Sequence, residues 1–132
     1  MATAAPVTGR NLIAGRWLPP DGHHFESHNP ARADEVVGRF PDSTAEEAGE
    51  AVAAARAAYP AWRRTSRILR AELFDNLAQV VKREADNLAK LMARECGKVL
   101  TECKAEVIEG LHMIQYVFGT GRRHTGSCAG PR

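Results

Sequence analysis

At 132 residues, with 44% hydrophobic and 26% charged side chains, the chain has the size and composition of one globular domain and not of a disordered or fibrous sequence. Eighteen basic residues against 16 acidic ones leave a formal charge of +2, too little to draw a nucleic-acid polyanion. No apolar run approaches the roughly 18 residues of a membrane span, and the opening residues 1–6 lack the basic and apolar blocks of a secretion signal, so the cytoplasm is the default location.

Residues 1–10 are expected to be flexible. Beyond them, short β-like runs alternate with turn residues: Asn11–Ala14, a turn at Gly15 and Arg16, then Trp17 and Leu18, broken by Pro19–Gly22. Phe25–His28 reads as a further strand, ended by Asn29 and Pro30 because the residue before a proline is pushed out of helical geometry. Glu35–Phe40 reads as another. A ribbon of this kind is marginal alone in water and must lie on something.

After Pro41 the period changes from two to 3.6, and the spacing predicts about four helices. Ser43 and Glu46 form a capping box that starts the first, whose Ala48, Ala51, Val52, Ala55, Ala58 and Tyr59 share one face until Pro60 ends it. That small-residue face is expected to pack against a larger surface. The second helix starts near Ser66, with Leu69, Leu73, Leu77 and Val80 or Val81 inward, and ends near Glu84. Asp86 is a plausible cap for a third, which turns Leu88, Leu91, Met92 and Cys96 inward and stops at Gly97, a left-handed residue. Thr101 caps the fourth, whose Val107, Leu111, Ile114 and Phe118 form a stripe widened by Ile108 and Val117, with Gly119 and Gly121 as its stop. Arg122, Arg123, His124 and Arg132 follow without an acid after Glu109 and read as a solvated tail.

Motifs that carry chemistry are scarce. Neither a dinucleotide fingerprint, a phosphate loop, a zinc-protease helix nor a nucleophile elbow is present. Gly97 and Lys98 look like the end of a phosphate loop, but Val99 stands where a hydroxyl is needed, so they read as a helix end. His23, His24 and His28 lie in turn and strand without a completing ligand and read as surface histidines. Cys96, Cys103 and Cys128 form neither an even set nor a metal spacing. Cys96 is expected buried and inert, Cys103 is flanked by Glu102 and Glu106 and is a poor nucleophile, and no pocket can be argued around Cys128.

Taken in order, Asn-Leu-Ile-Ala-Gly-Arg-Trp at 11–17, Phe-Glu-Ser-His-Asn-Pro at 25–30, the run Glu35–Glu46, the alanine-rich Ala51–Trp62, Arg67–Leu77, Leu-Met-Ala-Arg-Glu-Cys-Gly-Lys at 91–98 and Glu106–Val107 resemble the opening of the aldehyde dehydrogenase superfamily. Each piece is weak by itself; the ordered set is specific. The resemblance implies an α/β fold with a Rossmann-like coenzyme domain, a catalytic domain and an oligomerisation hairpin, in homo-oligomers that oxidise aldehydes with NAD or NADP through a catalytic cysteine. Residues 11–126 then correspond to the N-terminal segment of the coenzyme domain, a mainly helical edge of about four helices after a short N-terminal β-ribbon. By the same resemblance, the nucleophilic cysteine, the glutamate base and the nucleotide motifs all lie beyond Arg132, and no residue of this chain is catalytic or holds the coenzyme. The resemblance also implies a structural monovalent cation held by main-chain oxygens of Ser27 and His28 and by the Glu95 carboxylate; read from the residues alone, Glu95 is a solvated carboxylate ending a helix. The flavour of Val36–Pro41 and Gly97–Leu100 is closest to bacterial semialdehyde-oxidising members.

Residues 127–132 depart from the family pattern, and a truncated gene product, with a frameshift as one route to it, is the expectation. Three readings follow: a family fragment inactive alone, one part of a split enzyme completed by a second chain, or a free-standing helical binding module. The last requires the alanine face of the first helix and the Val107–Phe118 stripe to close on each other.

Overall fold

The computed structural model describes residues 5–18 and 22–123. Five strands precede three helices: β1 (Val7–Thr8), β2 (Asn11–Ile13), β3 (Arg16–Leu18), β4 (His24–Asn29), β5 (Arg32–Pro41), α1 (Ala45–Arg64), α2 (Arg67–Cys96) and α3 (Leu100–Arg122). β2 and β3 form an antiparallel hairpin whose turn puts both Ala14 and Gly15 at positive φ, the geometry that matches strand twist in a two-residue connection. β4 and β5 pair antiparallel, and β1 adds in parallel on the other edge of β5, so the sheet order is β1-β5-β4. Val7 and Thr8 pair with Gly38 and Arg39 within the segment expected to be flexible. The break at Pro19–Gly22 falls mostly outside the described residues, as do His124, Cys128 and Arg132.

The helices correct the sequence reading in several places. Thr44, not Ser43, caps α1: its hydroxyl accepts from the Glu47 amide at 3.2 Å while Glu47 takes the Thr44 amide at 2.7 Å. Ser43 is engaged elsewhere, accepting from Asn11 Nδ2 at 2.7 Å and tying β2 to the start of α1. Pro60 does not end α1, which runs on to Arg64 with the proline inside it. Proline fixes φ at a helical value and forfeits one hydrogen bond, and the helix accepts that loss four residues before its end. The alanine face of α1 is not covered, and no residue of α1 is buried.

The expected second and third helices are one 30-residue helix, α2. Ala85 continues the chain between good helix formers with neither glycine nor proline to break it, and Asp86 pairs with Lys104 Nζ at 2.9 Å instead of capping anything. Gly97 ends α2 at φ +67° as the sequence predicts. α3 starts at Leu100 with Val99 as its N-cap and not at a Thr101 cap, the amides of Glu102 and Cys103 both donating to the Val99 carbonyl. It runs through Gly119 and Gly121 to Arg122, so Arg122 and Arg123 belong to a helix end and not to a tail.

α2 and α3 fold back on each other as a hairpin, and the side of α2 that faces α3 is the reverse of the one the leucine spacing suggests. Ala71, Ala78 and Ala89 are buried, while Leu69, Leu73 and Leu77 stay 51%, 48% and 43% exposed. Alanines let two helix backbones approach closely, and Cys103, Val107 and Leu111 of α3 fill the space they leave, with Val81, Ala85, Met92 and Ala93 around them. Gly121 shows how close the approach is, since a Cβ built there would stand 2.8 Å from the Ala71 Cβ.

Candidate functional site

The most completely built polar cluster lies where the β4–β5 turn meets the C-terminal end of α2. Glu35 and Val37 point to the same buried side of β5, and Glu35 is 7% exposed. A carboxylate withdrawn from water needs partners, and it has three: Asn29 Nδ2 at 2.9 Å, Arg94 Nε at 2.8 Å and Arg32 Nη2 at 2.8 Å. Asn29 completes the joint by accepting the Ala31 amide at 2.9 Å, which folds the Asn29–Pro30 turn. The Asn29 hydrogen bond first, then that of Arg94, hold the Glu35 carboxyl below its ordinary value of 4.5 against the opposing effect of burial. Gly97 packs on the same turn, and a Cβ there would meet Pro30 Cβ at 3.2 Å and the Ala31 amide nitrogen at 3.3 Å. One acid thus fastens sheet to helix.

The sequence assigns Glu35 and Asn29 only to strand ends and gives neither them nor Arg32 and Arg94 a place in a site. The signal available was an acid at an inward position of a period-two apolar strand, six residues after an Asn-Pro pair. No spacing rule links Glu35 to Arg94, 59 residues on.

Ser27, His28 and Glu95, the residues expected to hold a cation, lie on the two elements that adjoin here. α2 packs against β4, and its Gly97 touches the Pro30–Ala31 turn two residues after Glu95. The β4–β5 register shifts on either side of His28, with Ser27, His28 and Asn29 opposite Gly38, Val36 and Arg32, so the extra residues of the irregularity lie on β5. Glu95 is exposed. The donor set is all oxygen, as a hard cation prefers. Among the described residues, no cluster of three or more His, Cys, Asp or Glu side chains could hold a metal. His23, His24 and His28 are all exposed, and His28 Nδ1 lies 2.9 Å from the Ala33 carbonyl.

Cys96 is exposed, correcting the expectation that it is buried, because it lies on the last turn of α2 beyond the reach of α3. Cys103 is fully buried beside Ala89 and Val107. Lys98 pairs with Glu106, whose hydrogen bond raises the lysine pKa. The residues described do not fit a dinucleotide. A pyrophosphate needs a glycine-rich turn opening a helix N-terminus, whereas α1 and α2 are closed by Thr44 with Glu47 and by Ser66, and Lys98–Val99 precedes α3. No helix among the described residues is long and apolar enough to cross a membrane.

Comparison with known proteins completes the description. The model of the aldehyde dehydrogenase family matches residues 17–130. An alpha-ketoglutaric semialdehyde dehydrogenase of Bacillus subtilis is 34% identical over 88% of this chain and 24% of its own length. The mitochondrial acylating methylmalonate-semialdehyde/malonate-semialdehyde dehydrogenase of Rattus norvegicus is 39% identical over 87% of this chain and 22% of its own. Among solved structures, an NAD-dependent aldehyde dehydrogenase from Sinorhizobium meliloti superposes with a TM-score of 0.87 at 28% identity, over 93% of this chain and 25% of that one. The chain therefore spans about a quarter of the length of the relatives it matches.

Proposed function

The chain belongs to the aldehyde dehydrogenase family, and from that premise we propose that it supplies the outer edge of a coenzyme domain for NAD- or NADP-dependent oxidation of a semialdehyde, without carrying the chemistry itself. The observation that supports this reading is the Glu35 joint. Its polar groups satisfy one another and clamp a turn to a helix, which is the work of a scaffold and not of a reaction centre. Oxidation by a catalytic cysteine needs an accessible thiolate, a base, oxyanion donors and a hydride acceptor. Cys103 is shut in the helix hairpin, and Cys96 sits at a helix end that presents carbonyls instead of N–H donors. The remainder of the fold, carrying those parts, is the partner this reading calls for.

A graft tests it. Residues 11–123 replace the corresponding N-terminal quarter of the Bacillus subtilis relative, and aldehyde-dependent coenzyme reduction is measured for the graft and for this chain alone. The graft is expected to turn over and the chain alone is not. An active isolated chain, or a graft that folds and is dead, contradicts the reading.

Within the same reading, Glu95 and the main-chain oxygens of Ser27 and His28 hold a monovalent cation beside the α2 terminus. Melting in potassium chloride is then expected at a higher temperature than in choline chloride of equal ionic strength, and Glu95→Gln removes the difference. Identical melting in both salts rejects the site.

A further inference from the structure

The corner where α1 ends, α2 begins and α3 ends holds a groove of about 290 Å³ that plays no part in the dehydrogenase reading. Its apolar floor comes from Ala71 and Phe74 of α2 and from Tyr116 and Val117 of α3. Its surroundings are basic. Arg63 and Arg64 close α1, Arg67 and Arg70 open α2, and Arg122 and Arg123 close α3, while α3 carries no acid after Glu109 and neither Glu72 nor Asp75 lines the groove.

The two arginines of the lining differ. Arg67 Nη1 is engaged with the carbonyls of Gly121 at 3.1 Å and Arg123 at 3.3 Å. Arg70 Nε is withdrawn from water without a hydrogen-bond partner, and its guanidinium carbon lies 5.9 Å from the centre of the Trp62 ring. That buried N–H stays unsatisfied and closed to an incoming group, so a carboxylate meets the Nη donors of the same planar guanidinium. Apolar surface also continues past the groove over the exposed Met113, one helical turn before Tyr116 and Val117. A small anion would satisfy the arginine and leave that surface wet.

We propose that this groove docks an acidic polypeptide segment, its carboxylate on Arg70 and an adjacent apolar side chain on Phe74, Tyr116 and Val117. Charge selects the occupant: two copies of the chain meeting symmetrically through this corner would set arginine against arginine. The inference does not depend on the dehydrogenase reading, since it concerns the surface used and not the reaction.

The test is fluorescence anisotropy of the 132-residue chain with a labelled peptide of alternating leucine and glutamate, beside leucine–glutamine and serine–glutamate controls. Saturable binding is expected for the leucine–glutamate peptide, and binding at least about tenfold weaker for both controls. Arg70→Met, which keeps the stem against Trp62, and Val117→Ser, at a position already exposed, are expected to weaken it by a similar factor. The peptide contrast holds even where a variant fails to fold. Equal binding of either control overturns the proposal, as does the absence of saturation. Displacement of the peptide by equimolar inorganic phosphate would make this a small-anion site, and self-association that the peptide does not reverse would assign the groove to a second copy; either result also overturns it.

Discussion

Glu35 ties three parts of the architecture together, because side chains from the end of β4, the start of β5 and the long helix all reach its two oxygens. Its carboxyl is held below 4.5 in the folded chain, so on acidification the unfolded chain takes up a proton first. Where the unfolded state binds more protons, stability rises with pH. The contribution of Glu35 is therefore fully present above about pH 4.5 and is lost as the pH falls through the lower folded value. Glu26, whose main support is the Arg39 hydrogen bond, and Glu84 and Asp86 shift in the same direction and add to the same acid limb. Urea melts taken between about pH 6 and pH 3 are expected to show stability falling in that window, with a shallower fall in Glu35→Gln. A variant whose acid limb parallels that of the parent chain would remove Glu35 from this role.

At the scale of elements, the two long helices depend on small residues where they cross. An alanine at Gly121 would gain about 1 kcal/mol of helix propensity but would place its Cβ 2.8 Å from that of Ala71. A methyl on a helix backbone cannot swing aside, so the helices must part, at a typical overpacking cost of about 1–3 kcal/mol. Gly121→Ala is therefore expected to lower stability by about 1 kcal/mol net, read from the denaturation midpoint at unchanged slope; a stabilised variant contradicts this packing. The strands after residue 10, the Ser66 cap and the Gly97 terminator rest on local chemistry and are legible, whereas β1 at Val7–Thr8 is not. Nor is the inward side of α2, because the helix is apolar on two sides and the choice between alanines and leucines is made by α3, a partner that periodicity alone does not reveal. Pro60 and Gly119 read as stops because propensity is local, whereas each helix as a whole outweighs one unfavourable residue. Glu35 stayed hidden among the surface acids for a related reason, its partner Arg94 being distant in sequence.

For the whole molecule, the arrangement leaves much apolar surface open: the leucine row of α2, the uncovered face of α1 with Val52 and Tyr59, and Trp17 on the ribbon. The helical-module reading required α1 to close on the Val107–Phe118 stripe, but that stripe packs on α2, while α1 lies against β2. Surface of this kind fits the edge of a larger fold, in keeping with a chain that matches about a quarter of its relatives' length. The central claim is that these residues brace a coenzyme domain and do not themselves grip the coenzyme. Calorimetric titration of NAD and of NADP into the purified chain tests it most directly: the account predicts heats of dilution without saturation, and a saturable isotherm for either dinucleotide would contradict it.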